Sequence, residues 1–195
     1  MRSETKKEIF EPAWWLPEGH TQTLWRLFAN AEAVEHVRQR VELDDGDFID
    51  LDWLSASQPD NAGQRALVFL LRGLCESSSS SYIKSLQRHI FKEGYSSVAM
   101  NFRGCSGDLN RRGRAHHSGV SDDLEEVLNT VIDTFHPKAI TLAGYSLGAN
   151  VLLKWLGEGR DYVSVNRAVA VSTPFTLSLC SRAMLTGASG CMAVT

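Results

Sequence analysis

A chain of 195 residues suggests one domain with enough material for a real core, and 43% hydrophobic against 22% charged residues is the balance of a soluble globular protein. The net charge of -3 argues against a general binder of nucleic acid or anionic membrane. Cys75, Cys105, Cys180 and Cys191 form no C-x-x-C pair, which leaves zinc and redox motifs unsupported and reads as reduced thiols in a cytoplasmic protein.

Residues 1 to 9 read as a charged, solvated arm with no apolar run behind it, so no signal peptide is expected. Phe10 to Phe28 is dense in aromatics and prolines, including Trp14, Trp15, Pro17, His20 and Trp25. Its tryptophans fit either a cover over one edge of the core or a lip that touches substrate or lipid. Val37 to Leu43 and Phe48 to Trp53 alternate in and out around Asp44-Asp45-Gly46-Asp47, a strong hairpin signal. Ala66 to Leu71 is a continuous apolar run, as for a strand covered on both faces, and is far too short to span a bilayer.

Tyr82, Ile83, Leu86, Ile90 and Phe91 follow at helical spacing, with Gly94 in the usual position after the helix end. Ser97 to Phe102 reads as the next buried strand. Arg103 to Gly119 is a long loop whose Arg111, Arg112 and Arg114 read chiefly as solvated charges rather than a phosphate site. Adjacent His116 and His117 point apart and lack a third ligand, so no metal is expected. Ser121 is the expected N-cap of a helix with Asp122 and Asp123 in its first turn, ending at His136-Pro137. Ala168 to Ser172 reads as a further buried strand, and the pattern fades from Thr176. One domain over residues 10–182 is therefore expected, with an irregular tail at 183–195.

The informative stretch is Ile140 to Gly148. A short apolar run ends in Gly144-Tyr145-Ser146-Leu147-Gly148, and helical spacing begins at once with Leu147, Val151, Leu152 and Trp155. A nucleophile elbow needs this succession of strand, sharp turn and helix, with glycines where the helix packs back on the strand. Such a helix start aims its free N–H groups at the place where an oxyanion would form. Two starting β-runs followed by βαβαβαβ predict an α/β fold: a mostly parallel sheet with an N-terminal antiparallel hairpin and helices on both faces. The site is expected at the carboxyl ends of the strands, where Arg72-Gly73-Leu74 and Ser146 both fall.

From about Phe10 to Phe175 the chain resembles the α/β-hydrolase superfamily, and within it the esterase branch of bacterial YheT-type hydrolases and eukaryotic ABHD-type lipases. The resemblance rests on Trp15-Leu16, His20-x-Gln22-Thr23-Leu24, Asp45-Gly46-Asp47, Asn101 to Gly107, His117-Ser118-Gly119, Asp122-Asp123-Leu124 and Gly144 to Asn150. It implies a carboxylic-ester hydrolase of lipid metabolism, with acyl transfer in some members, acting on a small acyl ester without a cofactor. Ser146 would be the nucleophile, and the backbone N–H groups of Leu147 and Leu74 the oxyanion donors.

Two departures stand out. Arg72 occupies a position where the family has histidine, which alters the oxyanion loop and brings a cation towards it. The fold orders its triad serine, acid, histidine, yet no histidine follows His136, and the only later acids are Glu158 and Asp161. His20 and His117 are the remaining candidates for a base. The reading that follows is an α/β-hydrolase fold incomplete at its C-terminus, with weak or no activity. The alternative is a remnant that binds acyl ligands without turning them over.

Overall fold

The structure, a computed structural model, describes residues 11–19, 21–22, 34–55, 66–74, 80–159 and 165–185. Strand β1, Val37–Glu42, pairs antiparallel with β2, Phe48–Leu54, in a register running from Val37↔Trp53 to Glu42↔Phe48. The connecting turn closes through Leu43 N–H to the Asp47 carbonyl (2.9 Å), and Gly46 takes a φ of 81° that suits glycine. The register places Arg38 opposite Asp52 and Arg40 opposite Asp50. Both pairs are bidentate, at 2.7 and 2.9 Å and at 2.8 and 2.8 Å. The in-out alternation expected for β2 therefore gives way to burial from Phe48 through Asp52. Asp50 and Asp52 are covered by those arginines, and Asn101 Nδ2 donates to Asp52 Oδ2 at 2.7 Å.

The rest of the sheet is β3 (Ala66–Leu71), β4 (Ser96–Asn101), β5 (Ala139–Tyr145) and β6 (Val165–Val171). Its spatial order is β1-β2-β4-β3-β5-β6; β2 and β4 are antiparallel, and the pairs from β4 to β6 are parallel. The helices are α1 (Ser81–Lys92), α2 (Ser121–Phe135), α3 (Leu147–Gly157) and α4 (Leu177–Leu185). This is the α/β fold that the alternation of runs predicts.

Period 2 in the strands divides the core between two faces. Phe69, Leu71, Val98, Met100, Ile140 and Leu142 meet α2 through Leu124, Val127, Leu128 and Val131, and α3 through Val151, Leu152 and Trp155. Leu70, Ala99 and Ala143 face the other way, onto Ile83 of α1. Each such fully buried large side chain is worth roughly 1.5–3 kcal/mol. Helix α1 ends as expected: Gly94 has a φ of 81° and Tyr95 N–H reaches back to the Ile90 carbonyl at 3.0 Å. Helix α2 stops at His136, left-handed at φ 45°, just before Pro137.

Three expectations are corrected. Ser121 is the first residue of α2 rather than its cap; Val120 holds the cap position, and the Ser121 hydroxyl instead accepts from Lys154 Nζ at 2.6 Å. The strand at Ala168–Ser172 is not buried: among the described residues β6 is the outer strand, most of it is exposed, and Val169 is 50% exposed. Its apolar composition reflects a strand with one neighbour, β5, and α3 packed beside it among the described residues. Helix α4 runs to Leu185, three residues into the stretch expected as irregular, while residues 186–195 lie outside the described ones.

Candidate active site

Only Ser146 separates the end of β5 from the start of α3. The chain reverses there by placing Ser146 at φ 50°, ψ -114°, a conformation that costs a non-glycine residue roughly 1–3 kcal/mol. Its surroundings hold it in that shape. Ser146 N–H donates to the Val171 carbonyl of β6 at 2.9 Å, and its carbonyl accepts from Ala149 and Asn150 at 3.0 and 3.2 Å. The glycines on either side answer to close backbone approach. A Cβ at Gly144 would lie 2.7 Å from the Gly148 carbonyl oxygen, and one at Gly148 would lie 2.5 Å from that of Arg72.

β3 and β5 are parallel neighbours in a register that ends at Leu71↔Gly144. Leu74 and Leu147 therefore stand three residues beyond one register pair, at the same end of the sheet. Leu147 opens α3, where an N–H has no acceptor within the helix. Among the described residues nothing accepts from the N–H of Leu147 or of Leu74. The Gly73 N–H between them and β3 is taken by the Tyr82 hydroxyl at 3.1 Å. The Tyr82 ring lies 5.1 Å from that of Tyr145, whose phenol is pushed up by burial. Tyr82 was legible in the sequence only as one apolar position of α1; its hydroxyl was the signal that it has a polar task.

Arg72 does not point its charge along the Leu74 loop. It is fully buried, its Nε donates to the Met100 carbonyl of β4 at 3.2 Å, and its guanidinium lies 5.8 Å from the centre of the Phe102 ring. Both of its Nη atoms are buried without a hydrogen-bond partner among the described residues. The other arginines of the loop after β4 are turned onto the β1–β2 hairpin. Arg111 pairs with Glu42, Arg112 donates to the Asp45 carbonyl at 2.9 Å, and Arg114 stands 3.5 Å from Asp123. Beneath them Arg103 is buried against Asp45, Asp47 and Asp123 at 2.8 to 2.9 Å. Burial pushes the Asp47 carboxyl up, but Asn110, two backbone N–H groups and Arg103 outweigh it and hold it at about 2.

Of the candidate bases and acids, those among the described residues make no hydrogen bond to Ser146. His117 is exposed, and its Nδ1 accepts from Gly119 N–H at 3.1 Å. Glu158 pairs with Lys154. His20 and Asp161 lie outside the described residues. Among the described residues none hydrogen-bonds to the Ser146 hydroxyl, and no group of three His, Cys, Asp or Glu side chains could hold a metal. Trp14 and Trp15 are 91% and 48% exposed, so these two do not cover the core, while Phe10, Trp25 and Phe28 of the same stretch lie outside the described residues. An apolar cavity of about 280 Å³ lies at the opposite end of the sheet, among Val37, Trp53, Ala66, Leu67 and Phe135. It is remote from Ser146 and holds no ionisable side chain.

A hairpin leading into a parallel sheet, with a serine at the tight turn between a central strand and its helix, defines an α/β hydrolase. Solved structures agree on the fold: the Pyrococcus furiosus esterase Pf2001 superposes with a TM-score of 0.64 at 21% identity, over 79% of this chain and 57% of that one. The chain belongs to the family described as "Serine aminopeptidase, S33", whose model matches residues 62–191. Among curated relatives, the Escherichia coli (strain K12) protein named "Putative esterase YheT" is 38% identical over 171 residues, covering 87% of this chain and 50% of its own length. Human "Phospholipase ABHD3" is 30% identical over 182 residues, covering 91% and 44%. The chain thus spans about half the length of the curated relatives it matches. Among the described residues no helix is long and apolar enough to cross a membrane.

Proposed function

We propose that the chain carries the nucleophile and oxyanion parts of a serine carboxylic-ester hydrolase. Ser146 Oγ attacks the acyl carbonyl of a small ester or lipid, and the tetrahedral oxyanion is met by the N–H groups of Leu147 and Leu74. The observation that carries this reading is the pair of unclaimed amides standing at one register level beside a serine held at φ 50°. A donor aimed at developing charge in a dry site contributes about 3 kcal/mol, because it needs no reorganisation as the charge appears. Ester rather than peptide substrates are favoured by the relatives named esterase and phospholipase. Transfer of the acyl group to an alcohol would use the same acyl-enzyme. Free thiols at Cys105 and Cys180 favour a reducing compartment such as the cytoplasm.

Serine is a weak nucleophile without a neighbouring base. With no imidazole at the Ser146 hydroxyl among the described residues, these 195 residues by themselves turn over esters weakly. The same feature favours the second reading, a protein that binds acyl ligands without hydrolysing them. Hydrolysis of p-nitrophenyl butyrate separates the outcomes. A rate near background is expected, with the small remainder above it lost in Ser146→Ala. Robust turnover abolished by Ser146→Ala would show that a base is present and overturn the claim of weak activity. Acyl binding unchanged by Ser146→Ala, with no reaction at the serine, would favour the second reading.

A further inference from the structure

At the carboxyl end of β4, three side chains that the ester chemistry does not use converge. Cys105 is half-buried, with its Sγ 3.7 Å from His116 Nδ1 and 4.0 Å from Nε2. The His116 ring stacks on Phe102, with centroids 5.6 Å apart and planes 10° from parallel, and its Nδ1 lies 3.1 Å from the Arg103 carbonyl. With Nδ1 donating to the Arg103 carbonyl, Nε2 is placed to accept the Cys105 S–H, and once that proton has moved to the ring it donates back to the thiolate. Beside the same Phe102 ring, 5.8 Å from its centre, stands the Arg72 guanidinium, fully buried, with two Nη atoms that have no hydrogen-bond partner among the described residues. Buried unpartnered donors are costly, and a positively charged pair of them calls for an anion or an oxygen acceptor.

We propose that Cys105, His116 and Arg72 form a thiolate site at which a hydroperoxide oxidises Cys105 to the sulfenic acid. Sulfur attacks one peroxide oxygen; the S–O bond forms as the O–O bond breaks. The sulfur loses two electrons and the peroxide gains them. The departing hydroxide or alkoxide takes the proton of the His116 imidazolium. The new oxygen on sulfur then gives the Arg72 Nη donors a stronger acceptor than the thiol. Phe102 fixes the imidazole, and the Met100 carbonyl fixes the guanidinium through Nε, so the acceptor position is set before reaction. Electrostatics agree: burial pushes the Cys105 thiol up, but His116 and Arg72 outweigh it and draw it down, while the thiol raises His116. Low-lying thiolates in partly open, electropositive surroundings are the ones that react with oxidants. The site asks nothing of Ser146, so it stands or falls separately from the ester chemistry.

The test is peptide mass spectrometry of the folded chain treated with hydrogen peroxide in the presence of dimedone, with Cys180 as the internal reference. Cys105 should be trapped about tenfold faster than Cys180 at pH 7, and His116→Gln should remove most of that advantage. Trapping of Cys105 no faster than Cys180, or unchanged in His116→Gln, would overturn the proposal. Should that variant lose its cooperative melt, the pH profile of iodoacetamide alkylation of wild-type Cys105 decides. A midpoint clearly below the free-thiol value of about 8.5 is expected, and one at or above it contradicts the site.

Discussion

The N–H of Gly148 donates to the carbonyl of Arg72 across 3.1 Å, and this one hydrogen bond ties the second residue of α3 to the loop leaving β3. It sets how far Leu147 and Leu74 stand apart. It also explains why position 148 carries no side chain: a Cβ there would approach that same carbonyl oxygen to 2.5 Å.

Gly148→Ala is therefore expected to destabilise the fold, since the obstacle is backbone of a core strand rather than a flexible side chain. Overpacking of this kind costs about 1–3 kcal/mol. A urea melt should show a lower midpoint at unchanged slope. An unchanged midpoint would mean that the helix start is looser than its geometry indicates.

The buried ion cluster makes the second prediction. Arg103 serves Asp45, Asp47 and Asp123 at once, and removing it leaves carboxylates without their cation. Arg103→Met should cost about 3–5 kcal/mol by thermal or denaturant melting. The cluster also sets an acid limit. The Asp47 carboxyl falls from its ordinary value of 3.8 to about 2 on folding. A depressed carboxylate stabilises the fold above its unfolded value and loses that contribution as pH falls through the folded one. Stability should therefore decline as pH drops from about 4 towards 2, and Asp47→Asn should flatten that part of the profile.

Ser146→Gly should raise stability while removing the proposed nucleophile. The serine holds φ 50° and ψ -114° against its own preference, and glycine adopts positive φ without that strain. A gain of about 1 kcal/mol is expected from a melt, after the entropy cost of glycine is set against the relieved strain. Ser146→Ala keeps the Cβ and should show no such gain.

The outer strand carries a liability. β6 exposes Val169 at 50%, and beyond it Phe175 and Leu185 are 83% and 77% exposed. An open apolar edge pairs with other edges. Concentration-dependent light scattering is expected, and Val169→Lys should reduce it; scattering unaffected by the substitution would place the association elsewhere.

Much of this was legible in the residues. Ala66–Leu71, Ser97–Phe102 and Ile140–Tyr145 announced parallel strands because apolar runs with no polar alternation must be covered on both faces. Asp45-Gly46 announced the hairpin, and Gly144-x-Ser146-x-Gly148 announced the tight turn because only glycine tolerates that closeness. What stayed hidden depends on contacts between distant segments. Asp50 and Asp52 looked like outward polar positions until cross-strand arginines covered them. Arg111, Arg112 and Arg114 looked solvated until the loop folded onto the hairpin acids. Ala168–Val171 looked buried because an apolar run does not reveal whether a second neighbour exists. Tyr82 meets Gly73 and Cys105 meets His116 only through the tertiary fold, so no local pattern signals either pair.

Ser146 as a strained nucleophile beside waiting amides is tested most directly by exposing the folded chain to a long-lived alkyl fluorophosphonate and mapping the adduct by mass spectrometry. With the proposed oxyanion donors and no base at the hydroxyl among the described residues, slow modification confined to Ser146 and absent from Ser146→Ala is predicted, since such donors and binding would retain part of the catalysis without a base. A cooperatively folded sample in which Ser146 stays unmodified after prolonged exposure, or in which another residue takes the label, would contradict it.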